Sequence, residues 1–325
     1  MEFDFSGTDA QVPTYHNSTY ANTAASCYNA LFSSIDPDIQ LNWGSLRPIA
    51  VRAPEGTLVN ASNGAPTTAC TTALCVLIVE AAWQALAQAA PALGQGLWHR
   101  QGIAGMSSGM NRRTGKPFAV IHHFGKGGSG AVQGCDGWDH ISPVSSMGGS
   151  RAPDPELFEM RSPHLILNYE YRPDSAGAGA WRGGHGVHYR VRFTDGSTTM
   201  ALAPSCFSPE TAPAGVCGGL AAPPASARII LASGETRAFD GPMLFRPEPG
   251  DVLDVYSTGG GGYGDPRARP VEAVLADVRA GLLSVEKAAR DYGVVVDAAS
   301  GELDRAATEM LRAQRTGSNG KPDAE

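Results

Sequence analysis

Residues 173–186 read PDSAGAGAWRGGHG, five glycines in fourteen positions, set between two runs that alternate in the manner of strands. Upstream lies HLILNYEYR (164–172). Downstream, in VHYRVRF (187–193), Val187, Tyr189, Val191 and Phe193 face one way and His188, Arg190 and Arg192 the other. Glycines at such a join first of all permit a long, tight excursion of backbone. The stretch also carries Asp174, Trp181, Arg182 and His185, so it raises the question of whether it holds a ligand as well.

Working outward, LRPIAV (46–51), PFAVIHHF (117–124), TTMALAP (198–204), ARIILAS (227–233) and DVLDVYS (251–257) read as further strands. Helices are few. Leu74, Leu77, Ile78, Ala81 and Ala85 fall at helical spacing and predict a helix over 68–90, stopped by Pro91 and Gly94. Pro270 opens a second through Val271, Val274, Leu275 and Val278 that Gly281 stops, and Ser284 begins a short successor ending near Tyr292. Residues 102–151 are different: rich in glycine, weakly periodic and polar, they must be ordered by what they pack against. The fold class is mainly β with a few helices, one unit over 1–312 followed by a polar, frayed tail over 313–325.

Forty glycines and 23 prolines in 325 residues make about a fifth of the chain, above the usual share of roughly 12% and below the roughly 25–30% of low-complexity sequence. The net charge of −7, with no basic cluster longer than Arg112 and Arg113, argues against a nucleic-acid partner. No signal peptide is read in MEFDFSGTDA, and the apolar stretch 74–93, broken by Glu80, Gln84, Gln88 and Pro91, reads as too polar to span a bilayer. Six scattered cysteines without a CxxC pair give no zinc knuckle and imply reduced thiols in a cytoplasmic protein.

Several signatures match by letters and fail by context. GMSSG (105–109) lacks the strand and helix that flank a nucleophile elbow. GGGGYG (259–264) is followed by Asp265 and Pro266, where a dinucleotide-binding helix should be under way. SVEK (284–287) has no companion motif, and in GMNRRTGKP (109–117) Pro117 stands where a P-loop has Ser or Thr. No nucleotide site is read in this chain. His122 and His123 are neighbours on a strand, so at most one faces a given site, and HGVH (185–188) sits at a strand start where i and i+3 point apart. CDGWDH (135–140) stays open: Asp136, Asp139 and His140 can bind a divalent ion, pair as carboxylate and imidazole, or form an Asx turn.

The ordered set DFSGTD (4–9), LRPI and APEG within 46–56, RTGKPF (113–118), DGW (136–138), RPDSAGAGAWRGGHG (172–186) and GGGGYGDP (259–266) resembles the hydantoinase B family. That family holds the B-type subunits of ATP-dependent hydantoinases, 5-oxoprolinases, caprolactamase-like enzymes and acetone and acetophenone carboxylases. The likeness runs from Asp4 to about Tyr292. In full-length members DFSGTD lies near mid-chain, so it is their carboxy-terminal half that this sequence resembles.

The resemblance implies β-sheets in a barrel-like arrangement, running into a bundle of short polyproline II segments that the small residues of 102–151 suit. It places ATP and Mg on a partner A-type subunit and a divalent metal in the amino-terminal B-type half. No metal ligand carries over, because none of the eight histidines has aspartate three positions on, as the family's HxxD element requires. In such systems the A-type subunit phosphorylates a carbonyl or amide oxygen, and the B-type subunit receives the activated species for hydrolysis or carboxylation. On residue chemistry, Asp136, Asp139 and His140 are the acid/base candidates, and Arg172, Arg182 and His123 the substrate-binding ones. The expectation is one piece of a split B-type subunit of a cyclic amide hydrolase, inactive alone and working in a hetero-oligomer on a small molecule. A ketone carboxylase subunit and a non-catalytic assembly subunit are the alternatives.

Overall fold

In the computed structural model, which describes residues 1–316 apart from 37, 102, 147 and 240, with backbone only at 103, 104, 204 and 314–316, the strands fall into three sheets. A short parallel pair joins β1 (Glu2–Asp4) to β2 (Ala50–Arg52). In chain order there follow β3 (Ile103–Asn111), β4 (Lys116–Ile121), β5 (His164–Tyr171), β6 (Val187–Phe193), β7 (Thr198–Pro204), β8 (Ser226–Ile230), β9 (Thr236–Ala238), β10 (Met243–Phe245) and β11 (Val252–Tyr256). One antiparallel sheet has the order β10-β7-β3-β4 and the other β5-β6-β11-β8-β9.

The alternation of β6 sets the core between these two sheets. Val187, Tyr189, Val191 and Phe193 point inward against Leu253 and Val255 of β11, Ala227 and Ile229 of β8, and Met200 and Leu202 of β7. Each such buried side chain contributes about 1.5–3 kcal/mol. The outward residues form a charged row, in which Asp254, opposite Arg190 and Arg228 in register, meets His188 at 2.8 Å and Arg228 at 2.8 Å. Both of these larger sheets keep open edges, so they pack as a sandwich and the described strands form no closed barrel, which corrects the barrel-like expectation. The outer face of the four-stranded sheet is uncharged. Leu244, Ala201, Met106 and Ile121 line up across its four strands in register, with Leu244 73% and Met106 55% exposed.

A second layer is helical. α1 (Tyr20–Ile35), capped by Thr19, packs its Ala30 and Leu31 on Val76, Val79, Trp83 and Leu86 of α3 (Cys75–Ala89), and Trp83 donates to the Ala30 carbonyl at 3.2 Å. With the π-turn before it, the run Cys70–Ala89 has a mean hydropathy of 1.6 and is by length and composition long enough to cross a bilayer, contrary to the reading of 74–93 as too polar. In this fold it lies against α1 as a core helix. Between the two, 43–46 forms the short α2 (Trp43–Leu46), so only the end of LRPIAV is extended. α4 (Pro155–Arg161) leads into β5.

The stretch 173–186 leaves β5 and returns to β6 although Tyr171 and Val187 are paired across the ladder. It runs into a bundle of extended glycine segments that bond backbone to backbone. Gly184 N–H donates to Ser129 O, Gly260 N–H to Gly184 O, Ala131 N–H to Gly261 O and Gly96 N–H to Ala131 O, each at 2.8–3.0 Å. A Cβ on Gly130 would lie 1.8 Å from Gly96 O, and one on Gly260 1.8 Å from Ser129 O, so no other residue fits there. Residues 103–151 are therefore not one glycine region: 103–121 is mostly β-hairpin, and it is 126–140 that joins the bundle.

The bundle is tied to the C-terminal helices α5 (Val271–Arg279), α6 (Val285–Lys287) and α7 (Arg305–Thr316). Asp174, at φ 60, donates its N–H to Leu282 O at 2.9 Å while its carboxylate accepts from Ser284 N–H at 2.8 Å. α7 continues four residues into the segment read as tail, and 317–325 lies outside the described residues.

Candidate functional site

Of the residues singled out in the sequence, Asp136, Asp139 and Arg182 meet in an ion network with Arg269 and Asp277 of the C-terminal segment. Arg269 clasps Asp136 through two bonds of 2.7 and 2.8 Å and reaches Asp277 at 3.1 Å. Arg182 bridges Asp277 at 3.2 Å and Asp139 at 3.1 Å. Asp139 also accepts from the backbone N–H of His185 at 2.7 Å and lies 2.9 Å from its Nδ1. Burial opposes its charge, but the His185 bond and Arg182 prevail and hold Asp139 down at about 2. The space beside Arg182, His185, Asp277 and Tyr292 is only about 10 Å³, at the lower limit for a single water. This network fastens α5 to the glycine bundle.

His140 is not brought to these carboxylates. Its Nε2 lies 3.2 Å from the Phe124 carbonyl and its ring 3.2 Å from the Tyr169 hydroxyl, and burial pushes its imidazole down to about 4. Arg172 donates to the carbonyls of Pro224 and Ser257, each at 3.0 Å, and so closes backbone. Among the described residues no three His, Cys, Asp or Glu side chains gather into a group that would hold a metal ion, and Asp136, Asp139 and His140 do not converge on one point.

His123 is placed differently. The strand β4 ends at Ile121, and a tight turn over His123–Gly125 swings the chain into a cavity of about 490 Å³. Met106, Ile121, Pro143, Ala203 and Pro242 are among its apolar lining residues. It is also lined by His123, Lys126 and the hydroxyl residues Ser142 and Ser146, whose Oγ atoms bond one another. His123 has no hydrogen-bond partner among the described residues, and burial, then the Lys126 charge, lowers its imidazole, so it stands as a free base at neutral pH. A larger groove of about 620 Å³ near the C-terminal helices holds Asp265, Arg267, Arg290 and Asp291, but Asp291 is paired with Arg290 and Lys287, and Asp265 caps the turn at Arg267.

Sequence reasoning missed Lys126, whose only signal is a lone lysine among glycines in GKGGSG (125–130). It also missed the array behind the cavity wall. GMSSG lies in strand β3, with no helix after it, and Ser107 Oγ sits 2.6 Å from His122 Nε2 while His122 Nδ1 sits 3.2 Å from the Tyr189 hydroxyl. Burial drives His122 well below its usual range, so both ring nitrogens serve as neutral partners inside the core.

Fold and cavity together define a class: a two-sheet protein stapled by glycine segments, with a small-molecule-sized recess where sheet, turn and helix meet. The chain belongs to the hydantoinase B/oxoprolinase family, which it matches over residues 1–266. It is 34% identical over 309 residues to the beta subunit of the caprolactamase of Pseudomonas jessenii, covering 93% of this chain and 53% of that protein. It is 28% identical over 288 residues to the B-type subunit of a putative D-/L-hydantoinase from a Pseudomonas species, covering 87% and 46%. The crystal structure of the ATP-dependent caprolactamase from Pseudomonas jessenii superposes with a TM-score of 0.83 at 32% identity, covering 94% of this chain and 53% of that one. A nucleotide-free acetone carboxylase shares the fold, with a TM-score of 0.82 at 21% identity, covering 99% and 48%. The chain thus spans about half the length of these relatives.

Proposed function

We propose that this chain is part of the B-type component of an ATP-dependent cyclic amide hydrolase, receiving in its cavity an amide activated on oxygen by an A-type ATPase subunit. The observation that supports it is the cavity: about 490 Å³, lined by apolar residues together with an unbonded, neutral imidazole at His123. In this reading water adds to the activated carbon as His123 takes its proton. The ring C–N bond then breaks as a proton passes to nitrogen, and water cleaves the resulting acyl phosphate to carboxylate and phosphate. Asp136, Asp139 and Arg182 act by holding the bundle on α5, and the divalent metal of the family belongs to the half that this chain does not span. That half packs on the uncharged face of the four-stranded sheet, where the cavity's Met106 and Ile121 also lie.

The test is reconstitution with the A-type subunit and the remaining B-type half, followed by lactam-dependent ADP release and incorporation of labelled bicarbonate into ketones. His123→Ala is expected to lower lactam-dependent turnover by about 100-fold or more, with assembly unchanged by light scattering. Bicarbonate fixation without lactam turnover would establish the carboxylase reading instead. Full activity of His123→Ala would leave this chain an assembly subunit.

A further inference from the structure

Lys126 is 4% exposed, yet among the described residues no carboxylate pairs with it. Lys126 lines the cavity, and its Nζ donates to the Ser150 carbonyl at 2.6 Å, which uses one of its three donors. The backbone beneath it is fixed: the Lys126 carbonyl accepts from the buried Ser257 hydroxyl at 2.6 Å, and Gly127 O accepts from Ile141 N–H at 2.8 Å. Burial alone lowers the ammonium to about 8. A cation held out of water with no counter-ion is costly, and a fold retains it only where something compensates it. Met106, Ile121 and Ala203 line the same cavity, and the neutral His123 there carries no competing charge.

We propose that Lys126 is the anion-recognition residue of this cavity, taking a carboxylate or phosphoryl oxygen of a small ligand whose apolar body lies along Met106, Ile121 and Ala203. The inference deepens the amide-hydrolase reading, since that chemistry yields both groups, but it stands on the cavity and needs no partner subunit.

Calorimetric titration of the chain alone with hexanoate, hexanamide and inorganic phosphate tests it. Hexanoate is expected to bind about 10–100-fold more tightly than hexanamide, the range for a charge-assisted bond in place of a neutral one. Lys126→Met should abolish that preference while leaving hexanamide binding unchanged, and Lys126→Arg should keep part of it. Phosphate that competes with hexanoate identifies a phosphoryl site, and phosphate that does not identifies a carboxylate site; both support the proposal. Equal binding of hexanoate and hexanamide, or a preference that survives in a folded Lys126→Met, overturns it. Folding of that variant is read from its thermal transition, which should rise because an uncompensated buried charge is gone. Because no ATP turnover is measured, failure of the enzymatic reading leaves this result intact, and the reverse holds too.

Discussion

Arg269 is buried between Asp136 and Asp277, and its guanidinium pairs with both carboxylates at once. Arg269→Met is expected to cost about 3–5 kcal/mol, because it strands two partners rather than removing a balanced pair; urea unfolding measures it. Asp139 gives the pH dependence. Its folded value lies below its unfolded one, so its contribution is complete above about pH 4 and is lost as pH falls towards about 2. Asp139→Asn should flatten that part of the acid limb. Lys126 acts with the same slope in a higher window: its folded value of about 8 lies below the unfolded one, so stability rises as pH climbs from about 8 through the ordinary lysine range. The residue types of this site were legible in the sequence, but their pairing was not. Asp136 and His140 are close along the chain, whereas the partner of Asp136 is Arg269, 133 positions away.

At the scale of elements, β6 was legible because one of its faces is buried and apolar, so its period of two is plain. β3 was not, because it inverts the rule: Gly105 and Ser107 point into the core while Met106 and Met110 point out. α1 was hidden by its Ser, Thr and Asn content, residues that compete with a helical backbone, and is held instead by α3. The glycines divide by the same logic. Gly130→Ala and Gly260→Ala are each expected to abolish folding, since the new methyl meets backbone on a neighbouring segment. Gly115→Ala, at φ 66 in an open turn, should cost about 1 kcal/mol and no more than local strain. Circular dichroism and thermal melts of the three variants separate the two cases.

For the whole molecule, the uncharged row from Leu244 to Ile121 sets what the chain does when alone. Contiguous exposed apolar surface of this kind drives association, so the isolated chain is expected to self-associate at high concentration. Met106→Glu with Ile121→Lys should make it monomeric by light scattering. The sandwich and the glycine bundle also differ in what holds them. Of stretches 126–140, 175–186 and 257–264, only Ala178 enters a hydrophobic cluster; apart from the ion network and the Trp181–Tyr263 contact, they are held mainly by peptide bonded to peptide. Opening the bundle therefore exposes mainly polar backbone, whose hydration lowers heat capacity, whereas opening the sandwich exposes apolar groups that raise it. Chilling weakens the sandwich and spares the bundle. Hydrogen exchange near 5 °C should find the slowest amides shifted from β6 and β11 towards Gly184 and Gly260, a protein whose most rigid part in the cold is the part with almost no apolar core.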